Sequence, residues 1–121
     1  MTTRRQALTS AITRLREVLA LPENDVSRDA AIQRFKFCFE LAWNAIQERA
    51  RDEGLDCQSP KSCLKLAFKA SWVEDEPEWL AMMADRNQTS HTYDEDLAKA
   101  VYRRLGRYLP LLDALAGKLA P

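Results

Sequence analysis

RFKFCFELAWNAIQ, residues 34–47, is where the secondary-structure class of this chain is read. Its opening FKFCF alternates like a strand. The longer pattern disagrees: Ile32, Phe35, Phe39, Ala42 and Ile46 recur at intervals of three and four, the spacing of one helical face. No glycine or proline interrupts the run, so it reads as a long helix that begins after Ser27, taken as its N-cap, and ends before Gly54.

The same periodicity extends in both directions. Leu8, Ala11, Ile12, Leu15, Val18 and Leu19 form an earlier apolar stripe, closed by the turn at Pro22. Downstream, Ser59-Pro60 supplies a cap and a first-turn proline for a short third helix bearing Leu64, Ala67 and Phe68. Carboxylates of the segment EDEPE, residues 74–78, suit the positive end of a fourth helix, which runs through Trp79, Leu80 and Met83. Asp94 caps a fifth, with Leu97, Val101, Leu105 and Tyr108 facing inward and Pro110 expected to kink or break it before Leu112 and Leu115. Trp43, Trp72, Trp79 and the phenylalanines read as core or as the seam between two copies. The expectation is all-α: a bundle of about five helices forming one domain over residues 1–121.

Composition narrows the function. The chain has 121 residues, 46% hydrophobic and 30% charged, with 18 basic residues balancing 18 acidic ones. Zero net charge argues against coating nucleic acid through bulk electrostatics, so any such role must rest on a placed cleft. No apolar run is long enough to span a bilayer and no signal-peptide core follows the N-terminal arginines; no membrane association and a cytoplasmic location are expected. Cys38, Cys57 and Cys63 lack metal-ligand spacing, and one histidine cannot complete a set; no metal is expected, and the thiols are read as free.

Chemistry collects in RNQTSHTY, residues 86–93. Asn87 and His91 are four apart and share a face if the helix reaches that far. Arg86 and His91 are five apart, about 140° around a helix, an angle that a helix end near His91 would ease. Metal-independent RNA cleavage needs a base for the 2′-hydroxyl, an acid for the departing 5′-oxygen and a cation for the phosphoryl oxygens. Imidazole serves either proton role near neutrality, and guanidinium matches phosphate geometry. A single histidine is thin for two proton transfers, which points to a two-fold dimer with two Arg86/His91 pairs across one cleft. A lone histidine at a helix end is otherwise a cap or a structural hydrogen-bonding group, and an isolated tyrosine a packing residue. Elsewhere, Lys61, Lys65 and Lys69 form one basic stripe, and Arg103, Arg104 and Arg107 a second; if RNA binds, its backbone is expected along these. Glu40 interrupts an apolar block and requires a partner, a neighbouring helix or an arginine such as Arg86.

Arg86, His91 and Tyr93 match the R-x4-H-x-Y motif of the HEPN superfamily, with Asn87 as the polar residue that often follows the arginine. Three blocks, RFKFCFELAWNAIQ, SPKSCLKLAFKA and EWLAMMADRNQTSHTYDEDLAKAVYRRL, resemble the nucleotidyltransferase substrate-binding protein family, which includes the HepT-like toxins. The resemblance implies a compact antiparallel HEPN-like bundle of helices, usually a homodimer, working beside a cognate minimal nucleotidyltransferase antitoxin. It implies Arg86 and His91 as the catalytic pair of a metal-independent endoribonuclease, Asn87 as a supporting polar group and Tyr93 as the adenylylation acceptor. No cofactor is implied for this chain, ATP being consumed by the partner. The alternative is a non-catalytic substrate-binding subunit that presents a nucleotide ligand to the transferase.

Overall fold

The computed structural model describes residues 3–120. Five α-helices, α1 (Arg4–Leu19), α2 (Asp25–Asp52), α3 (Pro60–Lys69), α4 (Glu76–Asn87) and α5 (Glu95–Lys118), are joined by turns, one containing a short 3-10 helix, Thr89–His91. No helix among the described residues is long and apolar enough to cross a membrane.

Helix α2 is the axis of the fold. Every other helix, and the 3-10 turn, packs against it. Its Ile32, Phe35, Phe39, Ala42 and Ile46 are buried, so the helical spacing of residues 34–47 wins over the local strand-like alternation. They join Leu8, Ile12 and Leu15 of α1, Trp79 and Met82 of α4, and Val101, Leu105, Tyr108 and Leu112 of α5 in one continuous core. Side chains of this size contribute about 1.5–3 kcal/mol each on burial, which makes the α2 face the principal source of cohesion.

Most helix boundaries follow from capping. Ser59 accepts from the Ser62 amide and precedes Pro60; Asp94 accepts from the amides of Asp96 and Leu97. Gly54, at φ 74°, ends α2 in the left-handed conformation that glycine adopts without steric cost. One cap differs from expectation. Asn24, not Ser27, begins α2: its side chain accepts from the Ser27 amide while the Ser27 hydroxyl accepts from the Asn24 amide. The serine is the reciprocal partner of the capping pair, and its hydroxyl also donates to the Pro22 carbonyl at 2.8 Å, so both residues are used.

Two further expectations need correction. Helix α5 runs unbroken through Pro110. Proline in a helix interior costs about 3 kcal/mol, but buried Tyr108, Leu112 and Leu115 pin the helix on both sides while Pro110 itself faces solvent. Helix α4 runs through Trp79, Leu80 and Met83 as expected and buries Trp79, Met82 and Asp85. Finally, Cys57 and Cys63 are not free thiols but a disulfide, leaving only Cys38 free among the described cysteines. Cys57 lies in the connection before Ser59 and Cys63 in the first turn of α3, so reversal of the chain at the cap brings their Cα atoms to 5.1 Å.

Candidate functional site

Two consecutive residues at the end of α4 point to different neighbours, and this organises the site. Asp85 is 6% exposed and turns inward. It accepts from Arg104 Nε at 2.8 Å and Arg104 Nη2 at 2.7 Å, a bidentate fork, and also from the Tyr108 hydroxyl. Tyr108 in turn stacks on Phe35 of α2, ring centroids 5.6 Å apart. Burial first, then Asp85, pushes the Tyr108 phenol well above its ordinary range, while Asp85 holds the Arg104 guanidinium above its own. This buried clamp fastens the last turn of α4 to α5.

Arg86 turns toward α2. Its Nη2 pairs with Glu40 and its Nη1 donates to Asn87 Oδ1 at 3.0 Å; its guanidinium carbon lies 5.8 Å from the Phe39 ring centroid. Glu40 is also held from its other oxygen, which accepts from Trp43 Nε1 at 3.0 Å. The interruption of the apolar block at Glu40 therefore has its partners, one of them Arg86 as expected. Both members of the pair are about 30% exposed, at the rim rather than in the core.

Helix α4 stops at Asn87, so Asn87 and His91 do not share a helical face. The chain instead tightens into the 3-10 turn: Thr89 Oγ1 donates to the Arg86 carbonyl at 2.7 Å and Thr92 Oγ1 to the Thr89 carbonyl at 3.0 Å. His91 is exposed at the end of this turn, which packs against α2, α4 and α5. Tyr93 follows with 87% of its surface open to solvent, its ring edge-on to His91 with centroids 6.2 Å apart. Asp94 then caps α5. Arg86 and Asn87 thus end α4, and His91 and Tyr93 follow on the exposed turn that leads to α5.

The two basic stripes have different fates. Lys61, Lys65 and Lys69 are exposed and, among the described residues, form no ion pair; Lys65 and Lys69 line a groove of about 510 Å³ with Leu55, Asp56 and Leu66. Arg103 is exposed in the same way. Arg104 is committed to Asp85, and Arg107 pairs with Glu78 at 2.6 Å, so neither guanidinium is free. Asp85 escaped the sequence reading, although a carboxylate three residues after Met82 on an apolar face was the available signal. Trp43, read only as packing, was missed as the donor to Glu40.

The nucleotidyltransferase substrate binding protein like family matches residues 3–121. The chain belongs to this family. Among curated proteins it is similar to the probable ribonuclease HepT of Haemophilus influenzae, 31% identical over 84 residues, which are 65% of this chain and 58% of that protein. The chain therefore matches little more than half the length of that relative. A crystal structure from Thermus thermophilus superposes with a TM-score of 0.88 at 40% identity, covering 94% of this chain and 99% of the other. HI0074 of Haemophilus influenzae, described as revealing the fold of a substrate binding domain of a nucleotidyltransferase, superposes at 0.86 with 25% identity, over 95% of this chain and 98% of that one.

Proposed function

We propose that this family member is the RNA-cleaving toxin of a toxin–antitoxin pair, acting as a homodimer without metal and neutralised when a cognate minimal nucleotidyltransferase transfers AMP from ATP onto Tyr93. The observation that carries this reading is an oriented Arg86 at the end of α4, followed directly by the exposed turn that sets His91 edge-on to Tyr93. The likeness to a probable ribonuclease HepT supports the same chemistry.

In the cleavage step, one imidazole takes the proton of the 2′-hydroxyl. The freed oxygen attacks phosphorus, and the P–O5′ bond breaks as the departing oxygen receives a proton. The products are a 2′,3′-cyclic phosphate and a 5′-hydroxyl. Arg86 stabilises the charge that grows on the phosphoryl oxygens. A two-fold arrangement supplies the second His91 for the second proton transfer, one histidine accepting and the other donating. In the silencing step the Tyr93 oxygen attacks the α-phosphorus of ATP, pyrophosphate leaves, and the phenolic proton passes to a base. The new phosphodiester carries one negative charge two residues from His91, where it competes with RNA phosphate for Arg86. The high exposure of Tyr93 leaves its hydroxyl open to a partner enzyme without any rearrangement of the core.

Expression alone and beside the neighbouring transferase, for wild type and His91→Ala, tests the proposal. Growth arrest with RNA breakdown that disappears in His91→Ala and in the co-expressed wild type is the expected result, with a mass gain of AMP on a Tyr93-containing peptide. Intact RNA at all protein concentrations refutes it. That outcome, together with tight nucleotide binding, instead supports a non-catalytic substrate-binding subunit, the reading favoured by the description of HI0074.

A further inference from the structure

We infer that Glu40, itself steadied by Trp43, is the positioning residue for Arg86, and that it holds the guanidinium ready for a phosphodiester rather than closing it off; this rests on the reading of Arg86 as the phosphate-facing group. A guanidinium has five N–H groups: one on Nε and two on each Nη. Arg86 Nε is buried and has no hydrogen-bond partner among the described residues, so that edge faces protein and not ligand. Nη1 donates to Asn87 Oδ1, whereas Nη2 is held against Glu40 as an ion pair, the Glu40 Oε1 atom having no hydrogen-bond partner among the described residues, so N–H groups remain on both Nη atoms. With the Nε edge turned into protein, the remaining N–H groups of the two Nη atoms are the donors available to the oxygens of an anion at the rim.

Orientation is over-determined from three sides. Phe39 lies beside the guanidinium at 5.8 Å, Glu40 takes one nitrogen, and the adjoining Asp85 clamp fixes the backbone from which Arg86 departs. Glu40 and Trp43 are three apart on α2, so the indole N–H reaches the second carboxylate oxygen at 3.0 Å and stops the carboxylate from rotating away. An arginine without such a partner keeps several rotatable bonds and most of its rotamer freedom. Ordering it at the moment of reaction would add to the barrier, whereas here the order exists before RNA arrives. Glu40 acts through Arg86, so its effect belongs on the chemical step more than on binding.

The test compares wild type, Glu40→Gln, Glu40→Asp, Trp43→Phe and Arg86→Ala on a short RNA under single-turnover conditions. Affinity is measured separately with a 2′-O-methyl RNA of the same sequence, which binds but has no 2′-hydroxyl to deprotonate. Glu40→Gln, which keeps the shape and removes the charge, is expected to lower the cleavage rate constant by about 100-fold. Its affinity for the 2′-O-methyl RNA stays within about 3-fold, since only one bond to the arginine is weakened. Glu40→Asp recovers part of the rate, and Trp43→Phe loses about 5-fold. Tighter RNA binding with an undiminished rate in Glu40→Gln would overturn the inference, because Glu40 would then be a competitor for Arg86. A readout independent of cleavage separates this inference from the proposed activity: hindered rotation of the Arg86 guanidinium, followed by 15N NMR. Slow rotation in wild type that becomes fast in Glu40→Gln sustains the positioning role even if no RNA is cut, and unchanged rotation ends it.

Discussion

Replacing Asp85 with alanine should be the most damaging polar substitution in this protein, and its size can be worked out from the clamp. The change leaves the Tyr108 hydroxyl, on a residue with no solvent exposure, without its acceptor. An orphaned buried hydroxyl costs about 1–3 kcal/mol. It also releases Arg104; because that side chain is 36% exposed, water recovers much of the lost interaction, and about 1 kcal/mol is a fair share. The sum is about 2–4 kcal/mol, which for a domain of this size lowers the melting temperature by roughly 10 °C. Tyr108→Phe removes the hydroxyl and leaves the Asp85–Arg104 fork intact, so it should cost only about 1 kcal/mol. The double variant should cost clearly less than the two single losses added together, since the orphaned hydroxyl is absent from it, with a coupling of about 1–2 kcal/mol. Urea and thermal unfolding of the four proteins in the cycle measure this. A loss below about 1 kcal/mol for Asp85→Ala, or strict additivity, would show that the clamp does not hold α4 to α5, and would remove one of the three supports claimed for Arg86.

Other outcomes follow from the same geometry. Without reductant, denatured protein should take up one alkyl group, on Cys38, while reduction or a Cys57→Ser/Cys63→Ser variant should cost about 2 kcal/mol from the small closed loop; uptake of three alkyl groups without reductant would refute the disulfide. Burial pushes the Cys38 thiol from 9.0 up to about 12, so its contribution is full below pH 9 and is lost as pH rises from 9 toward 12, at up to about 1.4 kcal/mol per pH unit. Urea unfolding at pH 8, 9 and 10 should show this fall in wild type and a flatter profile in Cys38→Ala; equal slopes would contradict the assignment. If RNA binds, joint replacement of Lys61, Lys65 and Lys69 by alanine should weaken binding across sequences and reduce the salt slope by about 2, whereas Arg107→Ala should leave that slope nearly unchanged because its charge is already paired. Salt titrations of RNA affinity distinguish the two.

Periodicity and capping chemistry are local, and they were legible in the chain. The interval pattern of Ile32, Phe35, Phe39, Ala42 and Ile46 needs no partner to mark a helical face, and Ser59-Pro60 and Asp94 announce their helices through backbone donors a few residues away. The motif was legible as a spacing of residue types, because Arg86, His91 and Tyr93 are close in sequence. What stayed hidden depends on which groups meet across the bundle. Arg104 looked like an RNA contact until its distance to Asp85, nineteen residues away, turned it into a clamp. Cys57 and Cys63 looked unpaired until the cap at Ser59 reversed the chain between them. Pro110 looked like a break, since local propensity says nothing of the burial of Tyr108, Leu112 and Leu115 that holds the helix together. A sequence states each residue's own preferences. The partner that satisfies a charge, and the burial that overrides a weak propensity, come into being only when distant segments pack.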